Sequence, residues 1–479
     1  MSFSVVLVNP NQMRPAVAPI GLDYLAASLK SEGFEVAVLD LCFAEDFRAA
    51  LEDYFHDHTV NAVGLSIRNT DDCYYTGQNF FLPRYREVIQ AIRNHTPAPL
   101  ILGGVGFSIM PESILRYCKV DLGIVGDGEW ALPLLLHRLE RGEGYDDLPG
   151  LAYRTQRGIM VNPPAFLDLD KLPSPRRGAI DNHRYLCEGG MGGIETKRGC
   201  PGRCIYCADP VAKGSVCRVR SPSKVADEIE HLLELGVDWL HTCDSEFNMP
   251  GDHAEAVCEE LIRRRMGEKV RWHAYCAPHP FSWNLASLMR RAGCVGIDFG
   301  VDSGDDGMLQ RLGRDFNAQD LREVAHICHQ EGITFMYDLL LGGPGETRET
   351  AQTTIELMGQ LRPPRVGVAV GVRVYPGTPL ARMVHHEGLG LDNPHLQGRV
   401  ASNADLLAPI FYLSADLGSD ALSFIEYLIG EDERFFFGGA EREEADYNYN
   451  ENELLVEAIH KGYRGAFWDI LRRLREEGR

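Results

Sequence analysis

The chain of 479 residues is long enough for two or three domains, and its composition, 44% hydrophobic and 24% charged, is that of a globular protein. Its formal net charge of −21 argues against binding to nucleic acid through phosphate contacts. The 13 cysteines are odd in number and scattered, which predicts a reducing, cytoplasmic location rather than a secreted disulfide framework. The first ten residues lack the features of a signal peptide, and no apolar run reaches the length of about 20 residues that predicts a membrane span.

Residues 1–148 alternate short apolar segments with helical spans. Strands are predicted at 4–8, 34–39, 62–66, 99–102 and 122–125, and a helix at 21–32. This order predicts an α/β fold with a doubly wound, Rossmann-like sheet, in which ligands bind beyond the carboxyl ends of the strands. The candidate binding residues there are Asn9, Ser66, Arg68, Gly103, Gly104, Gly126, Gly128 and Glu129.

Residues 149–188 are rich in proline and polar residues and predict a linker. Strands and helices alternate again over 189–395, with strands predicted at 239–243, 271–275, 296–301, 334–341 and 366–375 and a helix at 224–235. This order predicts a partial (β/α)6 barrel, in which functional residues lie at the carboxyl ends of the strands.

Three cysteines, Cys200, Cys204 and Cys207, stand close together at the start of the predicted barrel. Three thiolates at this spacing can bind three irons of a [4Fe–4S] cluster and leave the fourth iron open to a small molecule. The alternative is a structural zinc site, which needs a fourth protein ligand. The candidates for that ligand are Cys187, Cys217 and Cys243.

The cysteine loop, with Tyr206 before its last cysteine, resembles the signature of the radical S-adenosylmethionine (SAM) superfamily. The pattern of the eight candidate residues within roughly the first 145 residues resembles the cobalamin-binding domain that precedes many radical SAM domains. The resemblance implies that these eight residues contact cobalamin. The resemblance implies three cofactors: a [4Fe–4S] cluster, SAM chelated to its open iron, and cobalamin. It also implies that reductive cleavage of SAM yields a 5′-deoxyadenosyl radical.

The same resemblance implies a set of SAM contacts at the ends of the barrel strands. A zwitterionic amino acid needs an anion for its ammonium group and a cation for its carboxylate, and a ribose needs hydrogen-bond acceptors. The matching positions are Tyr206, Asp244, Glu246, Asp302, Ser303, Arg314 and Asp338. Taken singly, Asp302 or Ser303 could instead be a helix N-cap, and Arg314 a surface ion pair.

One departure concerns cobalamin. The Asp-x-His-x-x-Gly motif that supplies a histidine to cobalt in other cobalamin proteins is absent, so we expect cobalamin to bind without a histidine on cobalt. Arg68 stands where some relatives place a side chain beneath the metal; the alternative is a surface arginine on a loop.

Residues 396–479 predict a mostly helical C-terminal domain, which in relatives caps the barrel. Two aromatic-rich segments, 409–413 and 435–439, are predicted to form the hydrophobic core of that helical layer.

These features together resemble a cobalamin-dependent radical SAM C-methyltransferase. The resemblance implies that one SAM methylates cobalamin and that a second SAM supplies the radical that activates an unactivated carbon of the substrate. The expected partners are a small-molecule or peptide substrate and a reductant such as flavodoxin or ferredoxin. The alternatives are the same cofactors used for ring contraction, cyclisation or oxidation, and, more remotely, a non-catalytic metal or corrinoid carrier.

Overall fold

The computed structural model describes residues 3–173, 177–438 and 443–478. The predicted α/β class is confirmed, because two seven-stranded sheets follow each other along the chain. Residues 174–176 of the predicted linker and residue 439 of the second aromatic segment lie outside the described residues. Among the described helices, none is long and apolar enough to cross a membrane.

The first sheet belongs to the N-terminal domain and has the strand order β2-β1-β3-β4-β5-β6-β7. Its strands are β1 (Ser4–Asn9), β2 (Glu35–Asp40), β3 (Ala62–Ser66), β4 (Leu100–Gly103), β5 (Leu122–Ile124), β6 (Leu151–Thr155) and β7 (Gly158–Val161). Its helices are α1 (Ile20–Ser31), α2 (Phe47–Asp57), α3 (Leu82–His95), α4 (Val105–Ile109), α5 (Pro111–Cys118) and α6 (Gly128–Arg141). The strand order reverses at β1 and β3, where a doubly wound sheet opens a crevice for a ligand.

The structure extends this sheet beyond the predicted boundary at 148. Strands β6 and β7 form an antiparallel hairpin on the edge strand β5, so the first part of the predicted linker belongs to the sheet. Leu151 and Ala152 are fully buried there. Burial of these two apolar side chains at the sheet edge stabilises the fold, whereas a solvated linker would leave them in contact with water.

The second sheet is the wall of the predicted partial barrel, with the order β19-β15-β14-β13-β12-β11-β8. Its strands are β8 (Gly192–Ile194), β11 (Trp239–Thr242), β12 (Arg271–Cys276), β13 (Cys294–Asp302), β14 (Thr334–Leu341), β15 (Arg365–Val370) and β19 (Phe435–Phe437). The helices around it are α7 (Asn182–Gly189), α8 (Asp209–Lys213), α9 (Pro222–Glu234), α10 (Gly251–Arg263), α11 (Trp283–Arg291), α12 (Asp306–Leu312), α13 (Ala318–Glu331), α14 (Arg348–Leu361) and α15 (Pro379–Glu387). All pairings within this sheet are parallel.

Alternate residues of the barrel strands point to opposite sides of the sheet. On β13, Ile297, Phe299 and Val301 are fully buried in the core between the strands and the surrounding helices. The residues between them, Asp298 and Gly300, therefore face the lumen of the barrel. The lumen is polar at this level, which places chemistry-bearing side chains inside the barrel.

The C-terminal part contains strands as well as helices. β16 (Val372–Arg373), β17 (Leu396–Gly398) and β18 (Ile410–Tyr412) form a small antiparallel sheet, and the helices are α16 (Ala421–Ile429), α17 (Glu453–His460) and α18 (Phe467–Glu476). The described residues of the two aromatic segments are mostly buried, as predicted for a hydrophobic core, but they form the strands β18 and β19 and not helices. Aromatic residues favour a pleated surface, and the open edge of β15 offers β19 a parallel partner.

The C-terminal helices close the end of the barrel where its strands begin. Trp468 of α18 packs in one hydrophobic cluster with Met336 near the start of β14 and Phe436 of β19. The ring of His273, near the start of β12, meets the Trp468 ring edge-on at 5.8 Å. Water and solutes therefore reach the lumen from the carboxyl ends of the strands.

One buried arginine joins the N-terminal domain to the barrel. Arg177 is fully buried and donates hydrogen bonds to Asp23 of α1 at 2.8 Å and to Glu228 of α9 at 2.8 Å. It also donates to the carbonyl of Gly193 in β8 and to the side chain of Asn182 in α7. This network fixes the orientation of the two sheets.

Candidate active site

The three cysteines lie in a loop that leaves the short strand β9 (Lys197–Arg198), which pairs with β10 (Arg218–Val219). Cys200, Cys204 and Cys207 are partly exposed free thiols. A Cβ on Gly202 would lie 3.2 Å from the Cys200 sulfur and 3.8 Å from the Cys204 sulfur. The missing side chain thus leaves open the space that borders two of the sulfurs.

This arrangement fits an iron–sulfur cluster better than a zinc ion. In the described ranges, no three His, Cys, Asp or Glu side chains converge on a single metal ion. Cluster thiolates bind separate irons and need not converge. The Cys217 thiol is directed to the carbonyls of Gly199 and Met249, and the Cys243 thiol to the carbonyl of His241. Two proposed fourth zinc ligands are therefore engaged elsewhere.

Burial raises the pKa of all three loop thiols. Buried thiols of this kind need a neighbouring positive charge to become thiolates, and bound iron supplies one. The Arg314 guanidinium works in the same direction at Cys204, where it donates a hydrogen bond to the sulfur at 3.0 Å and opposes the rise in pKa.

Asp244 fixes the backbone that leads into the cysteine loop. Its Oδ1 accepts hydrogen bonds from the backbone N–H groups of Thr196 at 2.9 Å and Lys197 at 3.2 Å, and its Oδ2 accepts from the Thr196 hydroxyl at 2.7 Å. The side chain is buried. Both oxygens accept hydrogen bonds from the chain itself, and a contact between Asp244 and SAM stays a proposal.

Three predicted SAM residues meet beside the cysteine loop. Arg314 donates to the carbonyl of Gly300, and its Nε lies 3.3 Å from the Asp302 carboxylate. The Tyr206 hydroxyl donates to the same carboxylate at 2.6 Å. Asp302 has a φ of 64°, which is rare for a residue other than glycine and turns its side chain back across the end of β13.

Glu246 adds a carboxyl group with a free oxygen to this cluster. Its Oε1 lies 4.0 Å from the Arg314 guanidinium, and its buried Oε2 has no hydrogen-bond partner in the described structure. Burial raises the pKa of Glu246 to about 7, although Arg314 and Lys197 oppose the rise. A cation or hydrogen-bond donor at this oxygen would complete the site.

Ser303 lies next to this cluster but points away from it. Its hydroxyl is fully buried, lies 3.0 Å from the Thr354 hydroxyl and accepts a hydrogen bond from the backbone of Asp305 at 3.1 Å. Asp305 is the N-cap of α12. Ser303 therefore supports the start of that helix without being its N-cap, and a contact between Ser303 and SAM stays a proposal.

Replacing Arg314 with alanine should weaken SAM binding about tenfold or more, because losing one partner of a charged hydrogen bond costs on the order of 2 kcal/mol. Lysine should not restore binding, since it cannot form the bidentate contacts of a guanidinium. Equilibrium dialysis of SAM, with iron and cobalamin contents measured in parallel, checks this. Arg322→Ala, on the exposed face of α13, is the control. Unchanged SAM affinity in Arg314→Ala would show that the SAM site lies elsewhere.

A cavity of about 170 Å³ opens in the N-terminal domain, at the carboxyl ends of β3, β4 and β5. Six of the eight residues predicted for cobalamin line it: Ser66, Gly103, Gly104, Gly126, Gly128 and Glu129. Gly104 has a φ of 99°, and a Cβ there would lie 2.6 Å from the carbonyl oxygen of Ile67. Glycine at this position thus lets the backbone after β4 pack closely against the backbone after β3 at the edge of the cavity.

Glu129 is turned toward the barrel domain. Its carboxylate accepts hydrogen bonds from both terminal nitrogens of Arg198 in β9, and the neighbouring Asp127 pairs with Arg198 and Arg218. Burial raises the pKa of Glu129, but Arg198 outweighs it and holds the pKa below its usual range. Sequence reasoning missed Arg198, which ties the edge of the cavity to the cysteine loop.

The other two predicted cobalamin residues lie apart from this cavity. The Asn9 side chain donates to Asp40 at 2.8 Å and to the Tyr185 hydroxyl at 3.1 Å, so its amide group is used within the protein. Arg68 is exposed and lies close enough to the barrel to oppose the rise in the pKa of Tyr275. Arg68 therefore stands between the N-terminal domain and the lumen.

The lumen contains one predicted residue, Asp338, and two functional candidates that the sequence did not single out, Asp298 and Tyr275. Asp338, predicted to face adenosine, interacts with Asp298 of β13 and with Tyr447. Tyr275 of β12 lies opposite Asp298 in register. The sequence contained one indication of this site, because Asp298 is a charged residue between apolar neighbours in a buried strand.

The comparisons with known proteins agree with both sites. Residues 12–136 match the B12 binding domain family, and residues 194–358 match the Radical SAM superfamily. The tryptophan 2-C-methyltransferase of Streptomyces laurentii is 31% identical over 97% of this chain and 95% of its own length. The chain belongs to the cobalamin-dependent radical SAM methyltransferases.

Two further relatives define the breadth of the similarity. The structure of the radical SAM methyltransferase TsrM from Kitasatospora setae, with tryptophan and a SAM analogue bound, superposes on this methyltransferase with a TM-score of 0.93. The two chains are 32% identical, and the match covers 100% of this chain and 98% of the TsrM chain. The hopanoid C-3 methylase of Methylococcus capsulatus is 24% identical over 75% of this chain and 67% of its own length.

The expectations drawn from the resemblance are therefore confirmed at the level of family, fold, enzyme class and cofactors. This methyltransferase uses a [4Fe–4S] cluster, SAM and cobalamin, and it acts on a small molecule. The cysteine loop and the glycine-lined cavity fit the first and last of these cofactors. The individual SAM and cobalamin contacts remain proposals.

Proposed function

We propose that this methyltransferase transfers a methyl group to an indole carbon of tryptophan or a close derivative. The observation that carries the proposal is the relationship to the tryptophan 2-C-methyltransferase, which extends over nearly the whole of both chains. The lumen supports it, because the carboxyl group of Asp338 contributes to the raised pKa of Tyr74, Tyr275, Tyr447 and Tyr449 and therefore lies near all four rings. Aromatic walls of this kind suit a flat ring.

The chain's own residues bind, orient and shield the reactants. The cofactors supply the methyl group and the electron transfer when they are bound. Arg314 offers a guanidinium to the carboxylate of SAM, and Glu246 offers its free oxygen to the ammonium group. The Trp468 cluster closes the far end of the lumen and excludes water from that side.

The test is an anaerobic reaction of the reconstituted enzyme with L-tryptophan and SAM that carries a deuterated methyl group. We expect a product heavier than tryptophan by one labelled methyl group in place of hydrogen, located on the indole ring by fragmentation. 5′-Deoxyadenosine is measured in the same samples, because the formation of the radical stays a prediction. A product without the label would favour the non-methylating alternative, and no product would overturn tryptophan as the substrate.

Cobalamin should bind to this enzyme without protein nitrogen on cobalt. None of the described residues that line the cavity is a histidine, and Arg68, which stands where some relatives place a side chain beneath the metal, has N–H donors only and no acceptor atom to offer cobalt. Electron paramagnetic resonance of the cob(II)alamin form should show no nitrogen superhyperfine splitting. Clear splitting would contradict this prediction, and Arg68→His offers a variant in which it could appear.

We also propose a reductant such as flavodoxin or ferredoxin, a cytoplasmic location and no nucleic-acid partner. The net charge of −21 and the requirement of an iron–sulfur cluster for a reducing environment support these proposals. Turnover with purified flavodoxin and its reductase tests the reductant. Retention of the chain by heparin or DNA at physiological salt would contradict the absence of a nucleic-acid partner.

A further inference from the structure

The lumen of the barrel contains two carboxyl groups, and the salt bridges of the described residues include neither of them. Asp298 of β13 and Asp338 of β14 interact directly. Each carboxyl group shifts the pKa of the other. Glu246 also shifts the pKa of Asp298, and Asp302 and the Tyr447 hydroxyl shift the pKa of Asp338. No lysine, arginine or histidine of the described structure is among these groups.

Each of the two carboxyl groups also keeps an oxygen free. Asp298 is only 5% exposed, and its buried Oδ1, like that of Asp338, has no hydrogen-bond partner in the described part of the chain. Burial raises the pKa of Asp338 to about 6, although Tyr447 and Asp298 lower it, and burial and Asp338 raise the pKa of Asp298. Buried carboxyls without partners are costly, so their presence indicates that a ligand completes them.

The wall beside the carboxyl pair is aromatic and open. Tyr275 is 44% exposed, whereas its strand neighbours Ala274 and Cys276 are fully buried. Because alternate residues of β12 face opposite sides, the exposed surface of Tyr275 lies in the lumen. The Tyr74 and Tyr447 rings meet edge-on at 5.6 Å and continue the wall.

A glycine on the neighbouring strand makes room for this arrangement. Gly367 of β15 pairs in register with Asp338. A Cβ at Gly367 would lie 2.8 Å from Cζ of Tyr447 and would also collide with Asp338 Oδ1. The space occupied by the tyrosine and the carboxyl exists only because this position has no side chain.

We propose that Asp298 and Asp338 bind the protonated amino group of the substrate, with the tyrosine wall against its ring. An ammonium group has three N–H donors, which can donate to the two free carboxyl oxygens. Its positive charge would balance the negative charge of the carboxyl pair. A tyrosine face adds attraction for the same cation. This inference rests on the proposed function, because it names how an amino-acid or amine substrate is held.

The first experiment uses the wild-type, cofactor-loaded enzyme and three ligands. L-Tryptophan has both the ammonium and the carboxylate, tryptamine lacks the carboxylate, and indole-3-propionate lacks the ammonium. Isothermal titration calorimetry should show that tryptophan and tryptamine bind, with indole-3-propionate at least tenfold weaker than tryptophan. Equal affinity for indole-3-propionate, or no binding of either amine, would overturn the carboxyl pair as an ammonium site.

The second experiment uses Asp298→Asn and Asp338→Asn, which keep the shape of the side chain and remove its charge. Each variant should bind tryptamine at least tenfold more weakly than the wild type and should bind indole-3-propionate unchanged. Asp53→Asn, an exposed position on α2, is the matched control. Iron content, cobalamin absorbance and SAM affinity show whether each variant is intact. Unchanged tryptamine affinity in intact variants would overturn the proposal.

The two proposals can fail separately. Methylation of tryptophan by a wild-type enzyme whose Asn variants keep their affinity for amines would support the function and overturn the ammonium site. Binding of tryptamine that depends on both aspartates, without methylation of tryptophan, would overturn the function and support the site.

Discussion

The variant in which Cys200, Cys204 and Cys207 are all alanine should bind no iron–sulfur cluster and show no SAM cleavage or methyl transfer. The wild-type enzyme, reconstituted anaerobically, should hold about four irons per chain, because three thiolates bind three corners of the cluster. We do not expect Cys217 or Cys243 to replace a lost ligand, because their thiols are directed to backbone carbonyls. Iron, sulfide and zinc analysis with visible absorption measures the outcome.

Cys217→Ala is the matched control for this experiment. Its thiol lies beside the cysteine loop and was a candidate fourth ligand for zinc. We expect this variant to keep its iron, sulfide and activity. Zinc in the wild type together with loss of metal in Cys217→Ala would establish a structural zinc site, and a cluster retained by the triple variant would refute the assignment of its ligands.

Replacing Arg177 with alanine should destabilise the protein by about 3–5 kcal/mol, the typical cost of removing one partner from a buried ion pair. Arg177 is the shared partner of Asp23 and Glu228, and all three side chains are almost completely buried. The Glu228 carboxylate would keep Arg220, but Asp23 would lose its ionic partner. The midpoint of urea unfolding, followed for the cofactor-loaded chain, measures the change.

Arg263→Ala supplies the comparison for the buried arginine. Arg263 pairs with Glu260 on the surface of α10, and its side chain is 67% exposed. Exposed ion pairs are screened by water and contribute little to stability, so the midpoint of this variant should move little. If the two variants unfolded at the same urea concentration, the Arg177 network would not be what holds the domains together. Cobalamin affinity of Arg177→Ala adds a second measure, because the cavity lies at the same domain boundary.

The cysteine loop and the alternation of strands and helices were predictable because they are local. Cys200, Cys204 and Cys207 are brought together by a loop of eight residues, whatever the rest of the chain does. The glycines after β4 and β5 could likewise be identified, because a close approach to a ligand needs residues without side chains. The two-sheet architecture followed from the same periodicity.

Contacts between distant segments could not be predicted in this way. Asp244 and Ser303 stand in the expected motifs, yet the structure engages both with neighbouring backbone and helix caps. Which polar atoms are already satisfied depends on the folded surroundings, and a motif does not contain that information. The segment 435–437 became a strand for the same reason, since the free edge of β15 comes from residues about seventy positions earlier.

The sequence by itself determined the family, the cofactors and the order of the domains, because each rests on residue types at short, fixed spacing. Only the tertiary structure decided that Asp298 and Asp338 share one lumen, that Arg198 joins the cobalamin cavity to the cysteine loop, and that Arg177 pairs with Asp23, which lies 154 positions earlier. The physical reason is strand register. A shift of one residue moves a side chain from the lumen to the core, and register is set by the packing of the whole sheet.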